Sequence, residues 1–152
     1  MTLLEALQGS SLLRDFSDTG LQIIAAISTQ KTIPAGTPLF AENMVGESLF
    51  IVKSGTVRIT RREGSEEREL GTVGPGEHLG ALGLLAKSVR LVSAVAATSC
   101  EVVEITQRDF VRLQPQKPQA CLKLALAIAA DLAQKMADSR DALRALAGGA
   151  RP

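Results

Sequence analysis

Apolar residues recur at helical spacing through the first 28 positions, with Leu12, Leu13 and Phe16 on one face and Leu21, Ile23, Ile24 and Ile27 following a polar break at Ser17 to Gly20. The pattern predicts two short helices over 1–28. From Gln30 the period changes. Pro34-Ala35-Gly36, Glu42-Asn43, Ser54-Gly55, Glu63-Gly64-Ser65 and Gly74-Pro75-Gly76 separate short apolar or alternating runs, and a spacing of roughly 8 to 12 residues is that of successive strands. In SLFIVKSGTVRITRR, the period-two positions Leu49, Ile51, Val57 and Ile59 surround Ser54-Gly55, which predicts a hairpin. RLVSAVAATSCEVVEITQRDF predicts two further strands joined near Thr98-Ser99. Thr106 with Asp109 three residues on is a capping-box pattern, which ends the sheet near Ile105 and starts a short helix.

After Pro115 and Pro118, QACLKLALAIAADLAQKMADSRDALRALA contains no glycine or proline until Gly148-Gly149, and predicts the longest helix. Leu122, Ala125, Ala129, Leu132, Met136, Ser139, Leu143 and Leu146 alternate spacings of three and four, the seam of a helix pair. That seam either covers the sheet and in part a second subunit, or packs wholly within the monomer. The 152 residues form one domain of mixed α+β, mainly β character: helices over 1–28, a sheet region over 30–105 with an insert at 79–93, and helices over 107–147.

Charge narrows the partners. Seventeen basic and 16 acidic residues leave a net +1, so there is no general pull toward nucleic acid or anionic membrane, and any anion site must be local. The start, MTLLEALQGS, lacks a basic segment before an apolar run, and no run approaches the roughly 20 apolar residues of a membrane span. The expectation is a cytoplasmic protein away from the membrane. Cys100 and Cys121 have neither metal-ligand nor CxxC spacing and read as buried, reduced hydrophobes. No zinc-ligand cluster, phosphate-transfer loop or nucleophile elbow occurs, so neither metal, cofactor nor enzymatic activity is expected. His78, the sole histidine, reads as structural, and the mixed-sign run from Arg61 to Arg68 as a solvated hairpin tip.

The chemistry concentrates in GEHLGALGLLAKSVRLVSAVA, Gly76 to Ala96. Gly80 and Gly83 flank a small-residue turn into a brief apolar run, and a helix starting there would offer unpaired N–H groups. The amides of Leu82 and Gly83 are candidate donors to an anion, with Gly83 permitting close backbone approach. Arg90, ten positions after Gly80, adds a charge-assisted pair, and Ser93 a further donor. Each residue also has a plainer reading, Arg90 as a solvated or ion-paired charge and the glycines as turn formers; their joint spacing points to the anion.

Several markers in order carry a resemblance: Gly36 in the first turn, Gly46-Glu47 ahead of LFIVKSG, Gly55, LGTVGPGEHLG leading to Gly80, and TSCEVVEITQRDF. Together they resemble the cyclic nucleotide-binding domain, the β-roll of catabolite activator protein and of kinase regulatory subunits, over nearly the whole chain. The resemblance implies a double-stranded β-helix of jelly-roll type with about eight strands, short N-terminal helices, a cradle helix and a long C-terminal helix. It also implies a ligand, cyclic AMP, cyclic GMP or another cyclic nucleotide, held by Gly80, Ala81, Leu82, Gly83, Arg90 and Ser93, with Arg90 on the cyclic phosphate. The family's cradle, Phe-Gly-Glu-Leu-Ala-Leu-Leu, uses its glutamate on the ribose 2′-hydroxyl. Ala81 stands there and cannot accept that bond, and Leu91 and Val92 occupy positions that are usually small. Lys135 and Gln134 are candidates for the base by position alone. A non-enzymatic sensor that signals through a homodimeric C-terminal helix is the implied role, with a protein partner also open. The alternative is a dimeric adaptor with a degenerate pocket. The chain stops just after its long helix, so a helix-turn-helix and direct DNA binding are not expected.

Overall fold

Side-chain caps decide where the helices begin in this computed structural model, which describes residues 2–139 and residue 144. Thr2 and Glu5 form a reciprocal capping box at α1 (Leu3–Gln8), and the Ser17 hydroxyl accepts the Gly20 amide at the start of α2 (Asp18–Ala25). Leu12 and Leu13 lie between these helices in a single 3₁₀ turn, Ser11–Leu13. The first predicted helix is thus displaced toward the N-terminus, because Gly9 turns its amide back onto the Glu5 carbonyl and closes α1 early.

The strands follow as β1 (Ser28–Ile33), β2 (Pro38–Phe40), β3 (Val45–Gly46), β4 (Ser48–Ser54), β5 (Val57–Glu63), β6 (Glu66–Val73) and β7 (His78–Leu79). After α3 (Ala81–Leu85) come β8 (Ser88–Val89), β9 (Ser93–Ala96) and β10 (Cys100–Thr106), then α4 (Gln107–Leu113) and α5 (Pro118–Asp138). Two antiparallel four-stranded sheets, ordered β1-β10-β4-β7 and β2-β9-β5-β6, are joined by a two-stranded ladder, β3-β8.

The first sheet is the middle layer, and its central strands are buried on both faces. Leu49 and Ile51 of β4, with Val103 and Ile105 of β10, meet the helices; Phe50, Val52, Cys100 and Val102 face the second sheet. Alternation along these strands therefore separates two apolar cores rather than core from solvent.

That arrangement corrects the predicted hairpin at Ser54-Gly55. β4 and β5 lie in different sheets, so the chain crosses from one layer to the other at this corner. Gly55 makes the crossing at φ +88°, where a Cβ would come within 2.4 Å of the Ser99 carbonyl oxygen. The hairpin forms one strand later, between β5 and β6, with Glu63 opposite Glu66 and the charged run at its tip.

At the other end, the Thr106 hydroxyl accepts the Asp109 amide at 3.1 Å and starts α4. Pro118 opens α5, which buries Cys121, Leu124 and Ile128 against the helix-side core. The predicted seam is rotated from this stripe: Leu122, Ala129 and Ser139 are exposed, while Ala125, Leu132 and Met136 are half-buried. α5 ends at Asp138 with Ser139 in extended backbone, and Arg144 is again helical; Leu143, Leu146 and Gly148-Gly149 of the predicted stretch lie outside the described residues. No described helix is long and apolar enough to cross a membrane.

Because Ile128 is fully buried in the helix-side core, Ile128→Ala is expected to lower unfolding stability by about 2–5 kcal/mol. Urea denaturation followed by circular dichroism measures this; a loss below about 1 kcal/mol would show that α5 contributes little to the core.

Candidate functional site

Arg90 is positioned from its backbone outward. Its amide donates to the Met44 carbonyl at 2.7 Å, and its carbonyl accepts the Asn43 amide at 2.8 Å, which fixes the residue just after the β3-β8 ladder. From there the side chain runs inward and is only 7% exposed. Nη2 donates to the Ser48 carbonyl at 2.8 Å and Nη1 to the Gly80 carbonyl at 3.2 Å, while the guanidinium carbon lies 4.3 Å from the centre of the Phe40 ring.

The glycines now have a reason. A Cβ at Gly46 would lie 2.0 Å from Arg90 Nε, and one at Gly80 would lie 2.6 Å from Nη1. Gly83 closes the same channel, since a Cβ there would come within 2.8 Å of the Gly46 carbonyl and 3.2 Å of Nη1. Gly80 also turns β7 into α3 at φ +75°. Absent side chains on three segments thus leave room for one guanidinium.

Among the described residues no carboxylate forms an ion pair with Arg90, and Nε has no hydrogen-bond partner. Burial pulls the guanidinium down from its usual pKa, but arginine keeps its charge in proteins. A cation is therefore held out of water by two carbonyls and an aromatic face, without a counter-charge among the described residues.

This cation contributes to a cavity of about 520 Å³, within the range of small-molecule sites. Phe40, His78, Gly80, Ala81, Leu82, Leu91 and Val92 line it from the β-roll, and Asp131, Leu132 and Lys135 from α5. The walls are largely apolar around a few charged groups. Ala81 is buried at the first position of α3, its methyl joining the helix-side core.

Four of the six residues named from sequence, Gly80, Ala81, Leu82 and Arg90, share this cavity. The other two do not line it. The Gly83 amide donates to the Gly80 carbonyl at 3.0 Å, so the donor expected for an anion is engaged within the turn. The Ser93 hydroxyl accepts the Glu42 amide at 2.8 Å and borders a separate hollow with Asn43, Thr60 and Arg62. Of the two residues suggested for a base, Lys135 lines the cavity, whereas Gln134 donates to Asp138 at 3.0 Å.

Asp131 is the residue that sequence reasoning missed, and it meets His78, which the sequence reads as structural. Asp131 Oδ2 lies 2.9 Å from His78 Nε2 and 2.9 Å from Lys135 Nζ, tying β7 to α5 across the cavity. An ionised carboxylate only accepts, so Nε2 carries a proton, and His78 Nδ1 is buried without a hydrogen-bond partner. Burial pushes the Asp131 carboxyl up, but the hydrogen bonds from Lys135 and His78 outweigh it and hold the group below its ordinary value. The available signal was that Asp131 is the only acidic residue between Pro118 and Ala137, four positions before Lys135.

With this geometry in place, comparison with known proteins is decisive. Residues 30–116, more than half of the chain, match the family model described as cyclic nucleotide-binding domain. The chain belongs to the cyclic nucleotide-binding domain family. It is 31% identical to the cyclic AMP receptor protein of Thermus thermophilus over 124 residues, 81% of this chain and 57% of that protein. The crystal structure of Thermus thermophilus catabolite activator protein superposes with a TM-score of 0.77 at 29% identity, covering 91% of this chain and 63% of that one. The regulatory domain of Toxoplasma gondii PKA, solved with cAMP, gives 0.65 at 30% identity over 72% of this chain and 42% of that one. The chain thus spans little more than half the length of the bacterial receptor. The β-roll of jelly-roll type and the long C-terminal helix are those of the family.

Two outcomes test the site's construction. Gly46→Ala is expected to expel the Arg90 side chain and cost about 1–3 kcal/mol, read as a lower melting temperature; an unchanged melting curve would mean that the guanidinium is free to move aside. For Asp131, whose folded pKa is depressed, stabilisation is complete above about pH 4 and lost as pH falls through the lowered value. Asp131→Asn should therefore be less stable than the parent at pH 7, with the gap in urea midpoint narrowing toward pH 3. A gap independent of pH would remove the carboxylate from the explanation.

Proposed function

We propose that this domain is a non-enzymatic, cytoplasmic ligand sensor that binds a cyclic nucleotide or a related phosphorylated ligand through Arg90 and signals through α5. The observation that carries the reading is a buried guanidinium, paired with no carboxylate among the described residues, at a cavity of ligand size. Two of its five N–H donors are held by carbonyls and Nε–H has no accessible surface, leaving one N–H on each Nη. A phosphate there supplies the missing negative charge and accepts charge-assisted bonds.

The signalling half rests on shared walls. Asp131, Leu132 and Lys135 bring α5 to the same cavity, so a ligand that fits one placement of this helix better than another shifts the balance between them. The opposite side of α5 leaves Leu122 and Leu126 each 60% exposed, with Ala129 and Ala133 continuing the exposed stripe. We place a homodimer on that face, in keeping with a seam at three- and four-residue spacing.

A second reading, a dimeric adaptor with a degenerate pocket, is favoured by Ala81. Its methyl is committed to the core where the family's cradle carries a carboxylate, and Leu91 beside Arg90 is 77% exposed. Ligand binding separates the two readings.

Isothermal titration with cyclic AMP and cyclic GMP should give saturable binding that Arg90→Gln weakens by about 10- to 100-fold, the cost of losing one charge-assisted contact. Circular dichroism and a melting curve check that the variant is folded. Affinity independent of Arg90 would sink the assignment, and silence with both nucleotides would favour the adaptor. For assembly, light scattering should report a dimer that Leu122→Glu with Leu126→Glu converts to a monomer; a parent protein already monomeric at tens of micromolar would refute this placement.

A further inference from the structure

The walls beside Arg90 narrow the kind of molecule that can carry an anion to it. Leu82, Val89, Leu91 and Val92 line the cavity from the β-roll, and the first three are exposed, at 48%, 51% and 77%. Single apolar side chains in solvent are ordinary, but a group of them rimming a cavity is a binding surface. The rim continues outward. Val45, which pairs with Val89 across the β3-β8 ladder, and Met44, whose carbonyl accepts the Arg90 amide, are exposed as well. Polar groups are few and mostly committed: His78, Asp131 and Lys135 pair with one another, and Ser88 is the sole hydroxyl among the described lining residues. A sugar brings several hydroxyls, and each one taken from water without a partner weakens binding. An alkyl or aryl group needs no partner and gains by covering such walls.

We propose that the cavity takes a phosphate monoester of an alkyl or aryl alcohol, with its anion on the free N–H groups of Arg90 and its apolar body along Leu82, Val89 and Leu91 at the rim. The proposal rests on the reading of Arg90 as the anion-binding group of a ligand sensor and deepens it by naming what the anion is carried on. Burial sets the orientation. Arg90 is 7% exposed and Leu91 is 77% exposed, so the charged head enters first and the body lies toward solvent, where it covers the rim. Ala81 fits the same chemistry, because the residue next to the Gly80 carbonyl that holds Nη1 presents a methyl group rather than a hydrogen-bonding one. Selection then follows from two features of different kinds: the guanidinium requires an anion, and the walls reject a heavily hydroxylated body.

The test is calorimetric titration of the intact protein with butyl, pentyl and hexyl phosphate and with ribose 5-phosphate, which share the phosphate and differ in the body. Hexyl phosphate is expected to bind about tenfold or more tightly than ribose 5-phosphate, with affinity rising about two- to fourfold per added methylene. Arg90→Gln should weaken hexyl phosphate by about tenfold or more. Leu91→Asn, at an exposed side chain, should weaken it by about threefold or more and leave ribose 5-phosphate unchanged; melting curves check that both variants are folded. The same chemistry occurs in a free ester and in a lipid with a phosphomonoester headgroup. Arg90-dependent flotation with vesicles of phosphatidylcholine and phosphatidic acid would assign the lipid source, and protein left in the soluble fraction the free ester. Affinities for hexyl phosphate and ribose 5-phosphate within about threefold of each other, or flat across the alkyl series, would overturn the apolar assignment while Arg90-dependent binding of either left the anion reading standing. Binding of cyclic nucleotides without binding of the alkyl esters would do the same, as would hexyl phosphate binding untouched by Arg90→Gln. Silence with every ester and with both cyclic nucleotides would remove the anion reading and this inference with it.

Discussion

The accommodation of one guanidinium organises the cavity-side half of this domain. Arg90 is held through Ser48 at the start of β4 and Gly80 at the entry to α3, beside Gly46 at the end of β3 and Phe40 in β2. These segments come from different parts of the roll, and the arginine is their common neighbour. A buried charge is unfavourable unless its surroundings replace water. Here they do so in part, with backbone carbonyls and an aromatic ring, and three glycines keep the space clear. The construction is specific: shortening the arginine leaves the Ser48 and Gly80 carbonyls without these donors, and enlarging a glycine closes the channel.

The remainder of the fold presents this cradle to a helix. Because β4 and β10 are buried on both faces, the first sheet transmits little freedom; its outward face is fixed by Leu49, Ile51, Val103 and Ile105 against the helices. α5 is anchored by Cys121, Leu124 and Ile128 at its start, while its later turns border the cavity through Asp131, Leu132 and Lys135. The helix is firmly docked at one end and faces the cavity at the other. The His78 to Asp131 contact lies on the cavity-facing part.

Local patterns were legible where local physics decides the outcome. The strand punctuation, the Thr106 cap, the β5-β6 tip and the spacing of Gly80 from Arg90 could all be read directly from the chain. The pairing of strands could not. Period-two alternation around Ser54-Gly55 is the same whether the chain folds back on itself or crosses to another sheet, and only the close approach of Ser99 at Gly55 distinguishes the two. The site followed the same division. Arg90 stood out by its spacing, but Ser93 was drawn to the Glu42 amide and Gly83 to the Gly80 carbonyl, local bonds that sequence distance alone does not reveal. Asp131 lies 53 positions from His78, and nothing short of the fold brings them together.

The outer strand β6 has a bearing on how copies of this domain can meet. It forms one edge of the second sheet and is exposed along nearly its whole length, with open backbone groups of the kind that recruit foreign strands. Glu66, Glu67, Arg68 and Glu69 crowd that edge with charge, and a bulge at Leu70-Gly71, opposite Ile59-Thr60, breaks its register. A second strand laid alongside would meet repulsion at one end and a mismatched ladder at the other. Edge-to-edge growth into open-ended aggregates is thereby discouraged, and encounters between copies are biased toward helical surfaces, where contact is saturable and closed.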